Sequence, residues 1–155
     1  MPRIIESNLT RELILPDLHA ETKTDVLSEF AETIAGVFKN LDKAEVANVL
    51  LEREKLGSTG IQDGIAIPHG KLKALDHILL AFGRSVKGID YQAHDNQPTQ
   101  LFFVLLAPEN ATGMHLKVLA RLSRLLKQGS LRENLLNAKD AEEIYKTLLA
   151  EDEKV

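Results

Sequence analysis

Apolar residues recur every three or four positions in two parts of the N-terminal half of the chain, and this spacing predicts helices. The first part runs from residue 22 to residue 38, and its apolar positions are Val26, Leu27, Phe30, Ile34, Val37 and Phe38. Thr22 or Thr24 is placed to cap the start of this helix. A second helix follows Asp42, which stands three residues before Glu45 in the pattern of a capping box, and ends at Gly57.

The same spacing returns in the last third of the chain. It predicts a helix over residues 112–128 and two shorter helices that Ser130 and Asp140 introduce, each three residues ahead of a glutamate. The final residues, 151–155 (EDEKV), are mostly charged. We therefore expect a solvated acidic tail over 151–155, outside a domain that spans residues 1–150.

Short apolar runs between these helices predict strands. Three of them, over residues 65–68, 77–82 and 101–107, are bounded by glycine, proline or polar residues. Runs that are apolar on both faces suit strands covered by helices on either side. No repeat or linker divides the chain. The pattern therefore predicts one α/β domain, with a mixed, mostly parallel β-sheet flanked by helices on both faces.

Composition limits the classes of function. The chain has 155 residues, no cysteine and a formal net charge of −4, from 19 Lys and Arg against 23 Asp and Glu. Without a clustered basic excess we expect no nucleic-acid partner, and without cysteine a thiolate nucleophile is excluded. The apolar runs are far shorter than the roughly 20 residues of a membrane span, and the N-terminus lacks the core of a secretory signal. We expect a cytoplasmic location without direct membrane insertion.

The stretch GIAIPHGK, residues 64–71, places His69 between a proline and a glycine at the end of an apolar run. Pro68 has no N–H and a restricted φ, so it ends the strand, while Gly70 frees the backbone beyond the histidine. Ligands of α/β domains tend to bind where loops leave the carboxyl ends of strands. We therefore expect an imidazole held rigidly at the edge of a cleft.

Two further polar residues fall on apolar helix faces. Arg53 lies seven residues after Val46, near the end of the second helix, and His115 lies in the first turn of the third helix. Because arginine is rarely buried without a partner, these residues and His69 together predict a pocket for an anion, which a phosphoryl group fits best. Ser58, Thr59 and Gly70 are further candidates for phosphate binding, and a neutral imidazole is a competent nucleophile near pH 7.

Each of these residues also has a simpler interpretation. His69 could be a surface histidine in a tight turn, His115 a satisfied core histidine, and Arg53 a side chain whose stem covers apolar surface. A zinc hydrolase is disfavoured because an arginine in the same pocket opposes a dication, and no HExxH motif is present. GIAIPHGK is not a P-loop, since five residues separate its glycines and leucine follows the lysine. We interpret His19, His77 and His94 as surface or structural residues.

Three segments in order, LEREKLGSTG (51–60), GIAIPHGK (64–71) and HLKVLARLSRLL (115–126), resemble the IIA domain of the fructose/mannitol class of the bacterial phosphotransferase system. The resemblance is greatest to its nitrogen-related branch. It implies an α/β sandwich in which His69 accepts a phosphoryl group on Nε2 from a phosphohistidine of an HPr-like carrier. It also implies that His115 and Arg53 surround that group, and that no metal or organic cofactor takes part.

The resemblance leaves three functions open. The first is a phosphotransferase component with a regulatory output, whose phosphorylation state controls partner proteins. It is favoured because no membrane domain or IIB-like segment is attached in this sequence. The second is a sugar-specific IIA that passes phosphate to a IIB component. The third is a pure interaction module without phosphotransfer.

Overall fold

Five strands and six helices form in residues 3–155, which are the residues that the computed structural model describes. The helices are α1 (Ile5–Asn8), α2 (Lys23–Val37), α3 (Lys43–Lys55), α4 (Thr112–Leu125), α5 (Leu131–Asn137) and α6 (Ala141–Lys154). The strands are β1 (Leu9–Leu15), β2 (Ile65–Ala66), β3 (His69–Leu72), β4 (Leu79–Ile89) and β5 (Thr99–Pro108). Measured against the length and hydropathy that a bilayer span requires, every helix within this range falls short.

The strands form one mixed sheet in the order β1-β4-β5, with β2 and β3 both alongside the free edge of β5. β4 and β5 are antiparallel, while β1 is parallel to β4, and β2 and β3 are parallel to β5. This arrangement confirms the predicted mixed, mostly parallel sheet. Because β3 pairs with β5 from His69↔Leu105 onward, the histidine is held against an almost fully buried strand.

Both faces of the sheet are covered, as predicted. Phe102 of β5 packs against Phe30 of α2, with ring centroids 6.3 Å apart. The next residue, Phe103, points to the opposite face and pairs with Phe82 of β4, with centroids 5.5 Å apart. Helices α2 and α3 contact each other and the sheet, and α4, α5 and α6 also pack on β5 or β1. The alternation of side chains along β5 therefore joins two apolar layers into one core.

Helix starts agree with the capping patterns at three sites. The side chains of Thr22, Asp42 and Asp140 each accept a hydrogen bond from the backbone N–H three residues later. Ser130 precedes α5 without such a bond. α4 ends at Leu125, three residues earlier than expected, and α1 was not predicted because four residues are too few for a periodic signal.

The strand prediction around the histidine needs one correction. The run over residues 65–68 was expected to be a strand that ends at Pro68, but β2 covers only Ile65–Ala66 and pairing with β5 resumes in β3 at His69. Pro68 cannot donate to the ladder, so it interrupts the pairing and does not end it. His69 is therefore the first residue of a strand.

The predicted solvated tail over residues 151–155 is also wrong. α6 continues to Lys154, and Asp152 on its inner face is only 1% exposed. One carboxylate oxygen of Asp152 accepts from Arg121 Nε at 2.9 Å, and the other accepts the backbone N–H groups of Ile4 and Ile5. The sequence alone did not reveal this role, because the local pattern does not distinguish a buried, paired aspartate from a solvated one.

A buried arginine holds α5 against the sheet. Arg84 of β4 is 5% exposed, and its guanidinium donates to the carbonyls of Leu135 and Ala138 at the end of α5 and to that of Pro16. The carbonyls at the C-terminal end of a helix lack partners within it. A cation at this end therefore satisfies them and interacts favourably with the helix dipole.

Replacing Arg84 with methionine should lower the free energy of unfolding by roughly 2–4 kcal/mol, because buried carbonyls lose their donors. Urea denaturation followed by circular dichroism measures this change. Arg3→Met is the matched control, since Arg3 forms an exposed ion pair with Glu153 and should leave the midpoint nearly unchanged. Equal midpoints for the two variants would contradict the assignment.

Candidate functional site

Three side chains from distant parts of the chain meet at the β3 edge of the sheet. Arg53 comes from the last turn of α3, His69 from the start of β3 and His115 from the first turn of α4. Arg53 Nε lies 3.2 Å from His69 Nε2, and the two imidazole rings lie edge to face with centroids 5.5 Å apart. The structure thus brings together a guanidinium and two imidazoles.

Hydrogen bonds on both sides orient the His69 ring. Its Nδ1 lies 2.8 Å from the carbonyl oxygen of Ile67, and its Nε2 faces the N–H of Arg53. A carbonyl can only accept and a guanidinium can only donate, so these contacts require the proton on Nδ1 and the lone pair on Nε2. The nitrogen that faces the arginine is therefore the nucleophilic one.

Burial keeps both histidines neutral. The pKa of His69 is lowered mainly by burial and also by the charge of Arg53, while the hydrogen bond to Ile67 and the charge of Glu54 oppose the shift. The pKa of His115 is lowered by burial first and then by His69 and Lys71. Since both values fall below the ordinary histidine value of about 6.5, both rings are uncharged at neutral pH.

His115 has an unusual hydrogen-bond environment. Its Nδ1 is buried, and no residue from 3 to 155 provides a hydrogen-bond partner for it. The N-cap position of α4 is Ala111, which has no side chain able to cap the helix, whereas α2, α3 and α6 each have a side-chain cap. A buried polar group without a partner costs about 1–3 kcal/mol and often marks a functional position.

Gly70 allows α3 to approach β3. A Cβ atom built on Gly70 would clash with Cγ1 of Val49 on α3, so any other residue here would force the Val49 side chain to shift. Because side chains alternate along a strand, the position after His69 faces α3 while His69 itself reaches His115 of α4. This is a packing role, and contact of Gly70 with phosphate stays a prediction.

The hydroxyls of Ser58 and Thr59 make other bonds in this structure. Ser58 Oγ donates to the carbonyl of Tyr91 and accepts from the N–H of Gly60, and Thr59 Oγ1 donates to the Glu54 carboxylate. The structure does not bring these hydroxyls into hydrogen-bond contact with His69. Their contact with phosphate therefore stays a prediction.

Two residues of the site were missed by the sequence analysis. Lys71 stands two positions after His69 on β3, and its Nζ donates to the hydroxyl of Thr112 at the start of α4 at 2.7 Å. The alternation of side chains along a strand could have found it. Glu54 lies buried beneath the site. It had no signal, because an acidic residue in the last turn of a helix is usually solvated.

A separate cleft lies elsewhere on the domain. It has a volume of about 1160 Å³ and is lined by residues that include Asp63, Gln100, Lys127 and Arg132, but not by the two histidines. Arg132 spans its wall, where it donates to the side chain of Gln100 and the backbone of Asp63. In the described part of the chain, no three His, Asp or Glu side chains are grouped to hold a metal ion.

Comparison with known proteins identifies the family of this site. Residues 7–151 match the model of the phosphoenolpyruvate-dependent sugar phosphotransferase system, EIIA 2. The chain belongs to this EIIA family. The match includes every residue of the three-side-chain site, and it confirms the resemblance to IIA domains of the fructose/mannitol class.

Relatives of this EIIA domain include regulatory and sugar-specific proteins. The nitrogen regulatory protein of Bradyrhizobium diazoefficiens is 44% identical over 137 residues, which are 88% of this chain and 89% of that protein. The fructose-specific EIIABC component of Bacillus subtilis is 38% identical over 88% of this chain, but the match covers only 21% of that larger protein. The crystal structure of IIA-Ntr from Neisseria meningitidis has 37% identity and a TM-score of 0.86, covering 93% of this chain and 98% of that chain.

The titration of His69 tests the electrostatics of the site. We expect its NMR titration midpoint to lie below about 6.5, and Arg53→Met to raise it, because the variant loses a positive charge and the donor that holds the neutral Nε2. As the unfolded chain binds this proton more readily, stability should decrease as the pH falls through 6.5. Lys55→Met, which removes an exposed cation of α3, should leave the midpoint unchanged. A wild-type midpoint above 6.5 would contradict this account.

Proposed function

We propose that this EIIA protein is a phosphohistidine carrier that accepts a phosphoryl group on Nε2 of His69 from a phosphohistidine of an HPr-like protein. One observation carries the proposal, namely the pair of hydrogen bonds that leaves the lone pair of His69 on Nε2 and directs it toward Arg53. A nucleophile next to a bidentate cation is the arrangement that phosphoryl transfer needs.

The transfer conserves atoms and charge if the donor ring is protonated on its second nitrogen. The lone pair of His69 Nε2 forms the bond to phosphorus as the bond from phosphorus to the donor nitrogen breaks. The electron pair of the broken bond stays on the donor nitrogen, so the donor leaves as a neutral imidazole. The His69 ring then carries the positive charge, and its Nδ1–H remains bonded to the Ile67 carbonyl.

The surrounding cations and donors stabilise the phosphoryl group during transfer. Such transfer has a loose transition state with charge on the three equatorial oxygens, so the protein contributes alignment and hydrogen-bond donors. Arg53 is released from Nε2 as the lone pair is used, and its N–H groups then face phosphoryl oxygens. His115 adds an N–H donor, and Ser58, Thr59 and Gly70 are further candidates near the loop.

Exposed apolar residues next to the site suit a protein donor. Leu56, three residues after Arg53, is 84% exposed, and Met114 and Leu116 on either side of His115 are also exposed. Large exposed apolar side chains that gather around a polar centre are typical of a transient docking surface. We assign these three residues to the contact with the donor.

The relatives support a regulatory output, for which we propose a location in the cytoplasm. Phosphorylation adds a negatively charged phosphoryl group at the docking surface, which changes the partners that this surface binds. Similarity to nitrogen regulatory proteins over most of both chains favours control of target proteins. Similarity to the fructose-specific component supports the second candidate, transfer from His69 to a IIB component. A module that binds partners without phosphotransfer is the third.

Reaction with phosphoenolpyruvate and the purified donor proteins should add one acid-labile phosphoryl group to this protein, and none to His69→Ala. Arg53→Met should slow the reaction by roughly 10²–10³-fold, because a transition-state donor is lost. Mass spectrometry and phosphopeptide mapping measure both. The exposed His77→Ala is the control and should react as wild type does. Equal labelling of His69→Ala would refute the acceptor, and transfer onward to IIB would favour the sugar-specific candidate.

The docking surface can be tested apart from the chemistry. Leu56→Glu should reduce the rate with the protein donor, because it places a charge where an apolar contact forms, and should not change the rate with phosphoramidate, a small chemical donor. Val86→Glu is the matched control, since Val86 is exposed on β4 outside the site. An equal loss with both donors would show that Leu56 supports the site itself.

A further inference from the structure

Directly after Arg53 in the sequence, Glu54 turns into the protein. Its side chain is only 4% exposed and pairs with Lys23 Nζ of α2 at 2.8 Å. The carboxylate also accepts the backbone N–H of Thr59 at 3.1 Å and the Thr59 hydroxyl. Three donors, namely Lys23 Nζ and the N–H and hydroxyl of Thr59, thus bind the Glu54 carboxylate beneath the loop that connects α3 to β2.

This network continues to the nucleophile through the backbone. The carbonyl of Thr59 accepts the N–H of Ile67 at 3.0 Å, and the carbonyl of Ile67 accepts Nδ1–H of His69 at 2.8 Å. Ile67 lies between β2 and β3, and its own N–H is held by the carbonyl of Thr59. The position of the group that orients the imidazole therefore depends on the loop that Glu54 holds.

Arg53 holds the same loop from its outer side. Arg53 Nη1 donates to the carbonyl of Gly57 at 2.9 Å while its Nε faces His69. Glu54 and Arg53 thus hold adjacent parts of the loop, and each reaches His69, one through the backbone and one directly. A shift of the loop would change both hydrogen bonds of the imidazole together.

The aromatic residue Tyr91 encloses the network. Its hydroxyl lies 3.2 Å from Thr59 Oγ1, and Lys23 Nζ lies 4.7 Å from the centre of its ring. Burial and the charge of Glu54 raise the pKa of Tyr91, so its hydroxyl stays protonated. A fully bonded buried network of this kind holds its members in one arrangement.

We propose that Glu54 is a positioning residue for His69. Acting through Thr59 and the Ile67 carbonyl, it keeps the proton on Nδ1 and directs the unprotonated Nε2 toward the donor. The proposal rests on the proposed phosphoryl transfer for its consequence, but not for its geometry. Its charge has a second effect, because the His69 ring becomes cationic during transfer and a buried carboxylate nearby stabilises that charge.

The charged and titratable groups around the two imidazole rings come from three elements. They are Arg53 and Glu54 of α3, His115 of α4 and Lys71 of β3. Among those that act on the pKa of His69, Arg53 lowers it and Glu54 raises it. Removing the charge of Glu54 should therefore lower the pKa of His69 further, which a purely structural role would not require.

Glu54→Gln tests this, with Asp152→Asn as the matched control, because Asp152 is another buried carboxylate paired to a cation and to backbone N–H groups, but outside the site. The ring ¹⁵N shifts and titration midpoint of His69 are measured by NMR on unphosphorylated protein, so this readout does not depend on the proposed function. We expect Glu54→Gln to lower the midpoint and Asp152→Asn to leave it unchanged. The rate with phosphoramidate should fall about 10–100-fold in Glu54→Gln only.

A second variant separates positioning from folding. Replacing both partners, as Lys23→Met with Glu54→Leu, removes the buried ion pair without leaving an unpaired charge, a change that is often tolerated. If this variant folds while the ¹⁵N shifts show a mixture of His69 tautomers, the proposal is supported. Wild-type tautomer and midpoint in both Glu54 variants, or the same midpoint change in Asp152→Asn, would overturn it. If wild type shows the Nδ1–H tautomer but accepts no phosphoryl group, only the proposed function fails.

Discussion

The contact between Nδ1 of His69 and the carbonyl of Ile67 is the interaction on which the site depends. It decides which ring nitrogen holds the proton, and so which nitrogen is the nucleophile. The contact joins two residues across the break that Pro68 makes between β2 and β3. β3 then pairs with β5 from His69 onward, so the residue that carries the ring is fixed against the almost fully buried strand β5.

The electrostatic balance around that ring suits the carrier role that we propose, in which one protein both accepts and releases a phosphoryl group. Burial and Arg53 favour the neutral ring, which is the nucleophile, while the Ile67 carbonyl and Glu54 favour the positive ring that forms on transfer. Burial has the largest effect on the pKa of His69, and the opposing groups moderate it. A site that strongly stabilised the phosphorylated ring would not release the phosphoryl group, and a site that strongly stabilised the neutral ring would not accept it. A carrier has to accept and release the group.

Much of the fold followed from local patterns. Helical spacing and capping residues located α2, α3 and α6 closely, because amphipathic faces and N-caps are properties of a few neighbouring residues. The tail over residues 151–155 was misjudged for the opposite reason. Asp152 is buried by its pairing with Arg121 and with the N-terminal backbone, and those partners are distant in sequence.

For the site, the sequence by itself determined the chemical groups and their rigidity. Arg53 and His115 on apolar helix faces, and His69 between proline and glycine, indicated an anion site because such residues are costly to bury alone. Only the tertiary structure decided that the three meet, that Ser58 and Thr59 bond elsewhere, and that Glu54 lies beneath them. The reason is that periodicity reports which face a residue occupies, whereas a hydrogen bond depends on which other element lies against that face.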